Sequence, residues 1–214
     1  LSVTNYEAEI DSIRAFGGVG SILMLLVMIP MVGWILGIVG LIFLLIALKK
    51  LSDVAKDETI FRNALIAVIL GVIAIVIAPL VILSAFFGLF STAIRSQEPI
   101  AITGTSMPGI LQTQTTIPPG FFGLLASIAI ALTAFWVFLI ASSYFLYKSY
   151  KSVSLQTGVG LFSTAGLLYL VGSILTIVLV GLVVILVAIV LQAVAFFSLP
   201  RSFKKPETPS LNQV

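Results

Sequence analysis

The chain has no cysteine and no histidine, and charged residues make up only 9% of it. Without cysteine there is no disulfide framework, no thiolate metal site and no lipidated thiol. Without histidine, the commonest general base and metal ligand is gone. The scarcity of charge excludes more. A water-soluble fold needs charge on nearly every exposed face, and here apolar residues are 60% of the chain. All eight acidic and eleven basic residues lie outside four uncharged stretches, 15–48, 63–94, 99–147 and 152–200. An all-α integral membrane protein follows.

A helix crossing a hydrocarbon core of about 30 Å needs roughly 20 residues. Stretch 15–48 would be about 51 Å long as one helix. It is interrupted by Ile29-Pro30-Met31-Val32-Gly33, so two short spans joined by a tight hairpin are expected. Stretch 152–200 would be about 74 Å long and must fold back, between Thr176 and Gly181. The reading is a six-span bundle with spans near 13–30, 32–49, 63–90, 119–146, 157–177 and 179–198. These form a membrane domain over 13–200, after an N-terminal arm at 1–12 and before a basic, then disordered, tail at 201–214. Glu7, Glu9 and Asp11 in the arm differ from the basic n-region of a signal peptide, so the first span is expected to be retained.

An even number of spans puts both termini on one side. Arg95 stands alone on one face, and the other ten basic residues fall on the opposite face. The positive-inside bias then makes both termini cytoplasmic in a multi-pass cell-membrane protein. Snorkelling to lipid headgroups accounts for the net charge of +3 without nucleic acid. On the outer face, the loop 95–118 has Ile/Thr-rich flanks around Pro108-Gly109, and a small extracellular β-hairpin is expected there.

No ionisable residue lies inside a span, which counts against pumps and proton-coupled carriers. Catalysis in the bilayer would need an activated nucleophile, an acid–base pair or a metal. The spans offer only isolated hydroxyls, so no catalytic, cofactor or metal residue is assigned and no enzyme is expected. The recurrent pattern is small residues at helical spacing. Gly33 with Gly37, Gly160 with Thr164 and Gly172 with Thr176 are the expected helix-packing pairs. Pro79 should kink the third span. Trp34, Tyr144, Tyr147 and Tyr150 read as interfacial anchors, and Trp136 as packed between helices. Gln192 should seek a hydrogen-bond partner on a neighbouring helix. Asp57 can cap the third helix, with Glu58 in its first turn. Val32-Gly33-Trp34-Ile35-Leu36 faintly matches Val171-Gly172-Ser173-Ile174-Leu175, which would relate the first and last hairpins as a parallel repeat.

Several runs carry a resemblance to a known family. They are Gly37-Ile38-Val39-Gly40-Leu41, Leu51-Ser52-Asp53, Ile60-Phe61-Arg62-Asn63-Ala64-Leu65, Thr157-Gly158-Val159-Gly160-Leu161-Phe162, Ala165-Gly166-Leu167-Leu168-Tyr169-Leu170 and Ala195-Phe196-Phe197. The chain resembles an archaeal multi-span membrane family catalogued as a domain of unknown function, number nine-nine-six. The resemblance implies an archaeal cell membrane and carries over no activity, ligand or catalytic residue. The function expected from the residues is a non-enzymatic structural or accessory subunit. Its partners would be the bilayer and either further copies of itself or a larger membrane complex. The alternative is a channel or facilitator for a small neutral or weakly polar solute, along Ser84, Ser127, Thr133, Ser163, Thr164 and Thr176.

Overall fold

Helix is the only regular structure in the computed structural model, which describes residues 3–95 and 121–200; no strand occurs among those residues. The six helices are α1 (Val3–Leu25), α2 (Gly33–Ala55), α3 (Glu58–Arg95), α4 (Phe121–Thr157), α5 (Gly160–Leu175) and α6 (Val180–Phe197). All but α1 are long and apolar enough to cross a membrane. The first half of α1 carries the acidic residues and Arg14, leaving a short uncharged part. Apart from Arg95, the loop expected to form a β-hairpin at 95–118 lies outside the described residues.

Several helices outrun the expected spans. α2 continues past Lys49 to Ala55, and α4 past Leu146 to Thr157. Lysine, leucine and alanine are good helix formers, so the chain keeps its internal backbone hydrogen bonds after its composition turns polar. The connection left between the expected spans, 50–62, shrinks to Lys56-Asp57. Lys56 takes a left-handed conformation (φ 52°), and the Asp57 amide donates to the Ser52 carbonyl at 3.0 Å, closing α2. Asp57 then accepts the Thr59 amide at 3.0 Å, the N-cap role expected of it. After α4, Gly158 at φ +74° provides the left-handed turn that glycine adopts without steric cost.

The first and last hairpins are built alike. Each leads from its first helix into one turn of 3-10 helix, Leu26–Met28 or Thr176–Val178. A left-handed residue follows, Met31 (φ 70°) or Leu179 (φ 62°), and then a Val-Gly pair. Positive φ is uncommon for residues this bulky, so both turns are held by the helices they join. The equivalent pairs are Val32-Gly33 and Val180-Gly181. The match expected with Val171-Gly172 is corrected: those residues lie inside α5, before the turn, whereas Val32-Gly33 follows one.

The described residues separate into two compact units. One takes the chain up to Val72 and again from Phe138; the other is Ile73–Val137. In the first, α1 packs on α2, α5 on α6, and α1 on α6. Its core includes Ile10, Leu48, Leu51, Ile60, Tyr150, Phe162 and Phe196. In the second, the distal part of α3 and the first part of α4 bury Ala74 and Ala131 and expose Ile75, Phe86, Phe87, Phe122 and Ile130. Large apolar side chains facing outward on helices of this length are what hydrocarbon contact requires. α3 runs without a break through Pro79, its one internal proline.

Candidate functional site

The most specific polar arrangement in the first unit is a chain of hydrogen bonds across three helices. Tyr169 of α5 donates its hydroxyl to Gln192 Oε1 of α6 at 2.8 Å. Gln192 Nε2 donates to Ser21 Oγ of α1 at 2.7 Å, and Ser21 donates to the Gly17 carbonyl at 2.7 Å. Gln192 and Ser21 are fully buried, and Tyr169 nearly so. The partners expected for Gln192 are therefore on both neighbouring helices. An amide in an apolar interior needs them, because an unmatched polar group there costs free energy. The relay joins the two hairpins, since α1 belongs to the first and α5–α6 to the last.

Other buried hydroxyls also bond to helix carbonyls. Ser149 of α4 donates to the Ile60 carbonyl at 2.7 Å, and Ser142 to the Ala67 carbonyl at 2.7 Å, tying α4 to α3. Around Tyr150 an edge-on aromatic cluster fills the interior. Its ring centroid lies 5.9 Å from that of Phe162, whose own lies 5.0 Å from that of Phe196. This corrects the expectation for Tyr150: it is 0% exposed, not an interfacial anchor. α4 continues beyond it and α5 packs over it, so its ring meets protein. Tyr144 is exposed as expected, Tyr147 and Trp136 are half-buried, and Trp34 is exposed beside the first turn.

The expected packing residues divide. A Cβ at Gly33 would collide with the Leu26 and Val27 carbonyls, and one at Gly37 with the Val27 side chain. One at Gly172 would lie 2.7 Å from Ile185 Cγ1 and 3.1 Å from the Gly181 carbonyl. Thr176 is partly buried and donates to the Gly172 carbonyl at 2.8 Å. Gly160 and Thr164 instead lie exposed on the outer face of α5. An added Cβ at Gly160 would meet no described atom within 4 Å. Among the described residues this pair packs against nothing, because the buried face of α5 runs through Phe162, Ala165, Gly166 and Tyr169.

Two tight crossings were missed by the sequence reading. At Gly20 and Gly40, α1 and α2 approach so closely that a Cβ on Gly40 would lie 2.6 Å from the Gly20 carbonyl oxygen. At Gly181, an added Cβ would collide with backbone atoms of Gly172, Leu175 and Thr176. The dense glycines of Gly17-Gly18-Val19-Gly20 were an available signal.

The hydroxyls of the expected solute path divide between the two units, three in each. Ser84, Thr133 and Thr164 are exposed and Ser127 is half-buried, and each bonds to a carbonyl of its own helix. Ser163 is half-buried, and Thr176 bonds within α5 and its turn.

Long apolar helices, an outward hydrocarbon-like surface and an interior knit by helix-to-helix hydrogen bonds define a membrane-embedded helical protein. Within that class, residues 36–190 match the family described as "Protein of unknown function (DUF996)". The chain belongs to this family. A protein of Methanocaldococcus jannaschii described as uncharacterised is 33% identical over 198 residues, covering 92% of this chain and 96% of the relative. No solved structure matches the chain.

Proposed function

We propose that this chain is a non-enzymatic structural or accessory subunit of an archaeal cell membrane. It crosses six times with both termini cytoplasmic, and acts through helix packing with further copies or within a larger complex. The observation that carries this reading is where the polar inventory goes: Gln192, Tyr169, Ser21, Ser142 and Ser149 all bond helix to helix. The outward pair Gly160 and Thr164 leaves α5 a small-residue face that another helix can approach closely. Six spans are supported by α1 packing along α2, which makes the uncharged part of α1 the first arm of a hairpin. The facilitator reading has weaker support, because three of its six hydroxyl residues are exposed and four of the six bond to a carbonyl of their own helix.

The test is purification from native membrane in mild detergent, with mass spectrometry of whatever co-migrates. A stoichiometric companion, or a defined homo-oligomer, is expected. A partner-free monomer that passes a small solute in liposomes would replace this reading with the facilitator.

A further inference from the structure

A groove of about 310 Å³, walled by Leu155 and by the stems of polar and basic side chains, lies between the first turns of α3 and the last turns of α4. Arg62, Lys148 and Lys151 line it with Thr59, Asn63 and Ser152, and no carboxylate is in the lining. All three basic residues are exposed, and none forms an ion pair with a described residue. Lys148 rests over the Tyr144 ring, its ammonium 5.6 Å from the centroid. Elsewhere on this side three cations are already engaged, while Lys56 stands exposed in the α2–α3 turn. Lys49 pairs with Asp53 at 2.8 Å, Arg14 with Asp11 at 3.2 Å, and Lys50 donates to Ser12 at 2.9 Å. Thr59 gives its hydroxyl to Asp57, and Glu58 lies in the adjoining cavity with Arg62. The groove is thus a local excess of positive charge with side-chain donors and no internal counter-ion.

We propose that this groove binds the phosphate of an anionic membrane lipid. Its depth favours a lipid over a dissolved anion. The uncharged stretch of α3 begins at Asn63 and that of α4 ends at Tyr147, so Arg62 and Lys148 mark one boundary from two helices. Lys151 lies one turn further out on the face of Lys148. Towards the uncharged side, exposed Leu65, Ile69 and Tyr144 offer apolar surface on which acyl chains can lie. Ser149, fully buried and bonded to the Ile60 carbonyl, fixes α4 against α3 and so fixes the spacing of the cations. Each basic group near an anionic lipid surface contributes about a fivefold gain in binding. The proposal depends on membrane placement and not on the accessory role, so it can fail or hold independently of that role.

The experiment is native mass spectrometry of the full chain released from vesicles of mixed neutral and anionic phospholipid. The wild type should retain anionic lipid preferentially. R62Q/K148Q/K151Q should lose that preference on the order of tenfold or more. K49Q/K50Q/K56Q, which removes the same charge outside the groove, should keep it. Lys151 is exposed, so K151Q alone will fold and should lose about fivefold. Equal losses in the two triple variants, or an unchanged K151Q, would reduce the groove to a diffuse positive surface and overturn the proposal. Displacement of the lipid by excess inorganic phosphate would overturn it in favour of a soluble anion.

Discussion

Gly181→Ala should be among the most damaging single-methyl changes in this chain. Its new Cβ would meet backbone on three sides, from Gly172, Leu175 and Thr176, and backbone cannot rotate away as a side chain can. The start of α6 must then separate from the end of α5, and the turn at Leu179 is already in a conformation unfavourable to leucine. Overpacking of this kind costs about 3 kcal/mol, and for a chain of this size the melting temperature in detergent should fall by roughly 10 °C. Gly160→Ala is the internal comparison. It is the first residue of α5 and its methyl group meets no described atom within 4 Å, so the melting temperature of the dissociated single chain should stay within about 2 °C of wild type. Thermal unfolding of the single chain should therefore separate the two variants clearly. A G181A melt matching the wild type would mean that α5 and α6 do not meet as described.

Gln192→Leu should be the second large effect, through a different mechanism. Leucine keeps much of the volume but leaves the buried Tyr169 hydroxyl without its acceptor, and removes a side chain that hydrogen-bonds both α5 and α1. Ser21 still has the Gly17 carbonyl, so the Tyr169 side carries most of the loss. The expected destabilisation is about 1–2 kcal/mol, between the measured range for interhelical hydrogen bonds in membranes and the cost of an unmatched buried group. Tyr169→Phe added to Gln192→Leu removes the stranded hydroxyl. The double variant should therefore be less destabilised than the two single effects added together. Strict additivity in that cycle would show that the two side chains do not interact.

These two positions also show what could be read from the residues alone. The spans, the break at Pro30, the fold-back at 176–181 and the need of Gln192 for a partner follow from hydropathy, backbone chemistry and the cost of a lone buried amide. Which face of each helix turns inward does not. In a soluble helix the polar stripe marks the outside, but here both faces are apolar, so periodicity cannot separate lipid from protein. Gly160 and Gly172 look equivalent as small residues in α5, yet one is exposed and the other lies against Ile185. Tyr150 has the composition of an interfacial anchor and is buried only because α5 packs over α4. The groove at Arg62, Lys148 and Lys151 needed the pairing of α3 with α4, since its cations come from chain segments far apart in sequence. The helical extensions to Ala55 and Thr157 were hidden by their charge, although their residues favour helix.

The proposed arrangement, six spans with both termini on the cytoplasmic face, is directly measurable because the sequence has no cysteine. Single cysteines introduced by Ser2→Cys, Ser106→Cys and Ser210→Cys can be labelled with a membrane-impermeant maleimide on sealed, right-side-out vesicles. The expected result is labelling of position 106 from outside, with positions 2 and 210 reacting only after the vesicles are opened. Labelling of positions 2 and 210 from opposite sides would contradict it, leaving an odd number of crossings and α1 outside the bilayer.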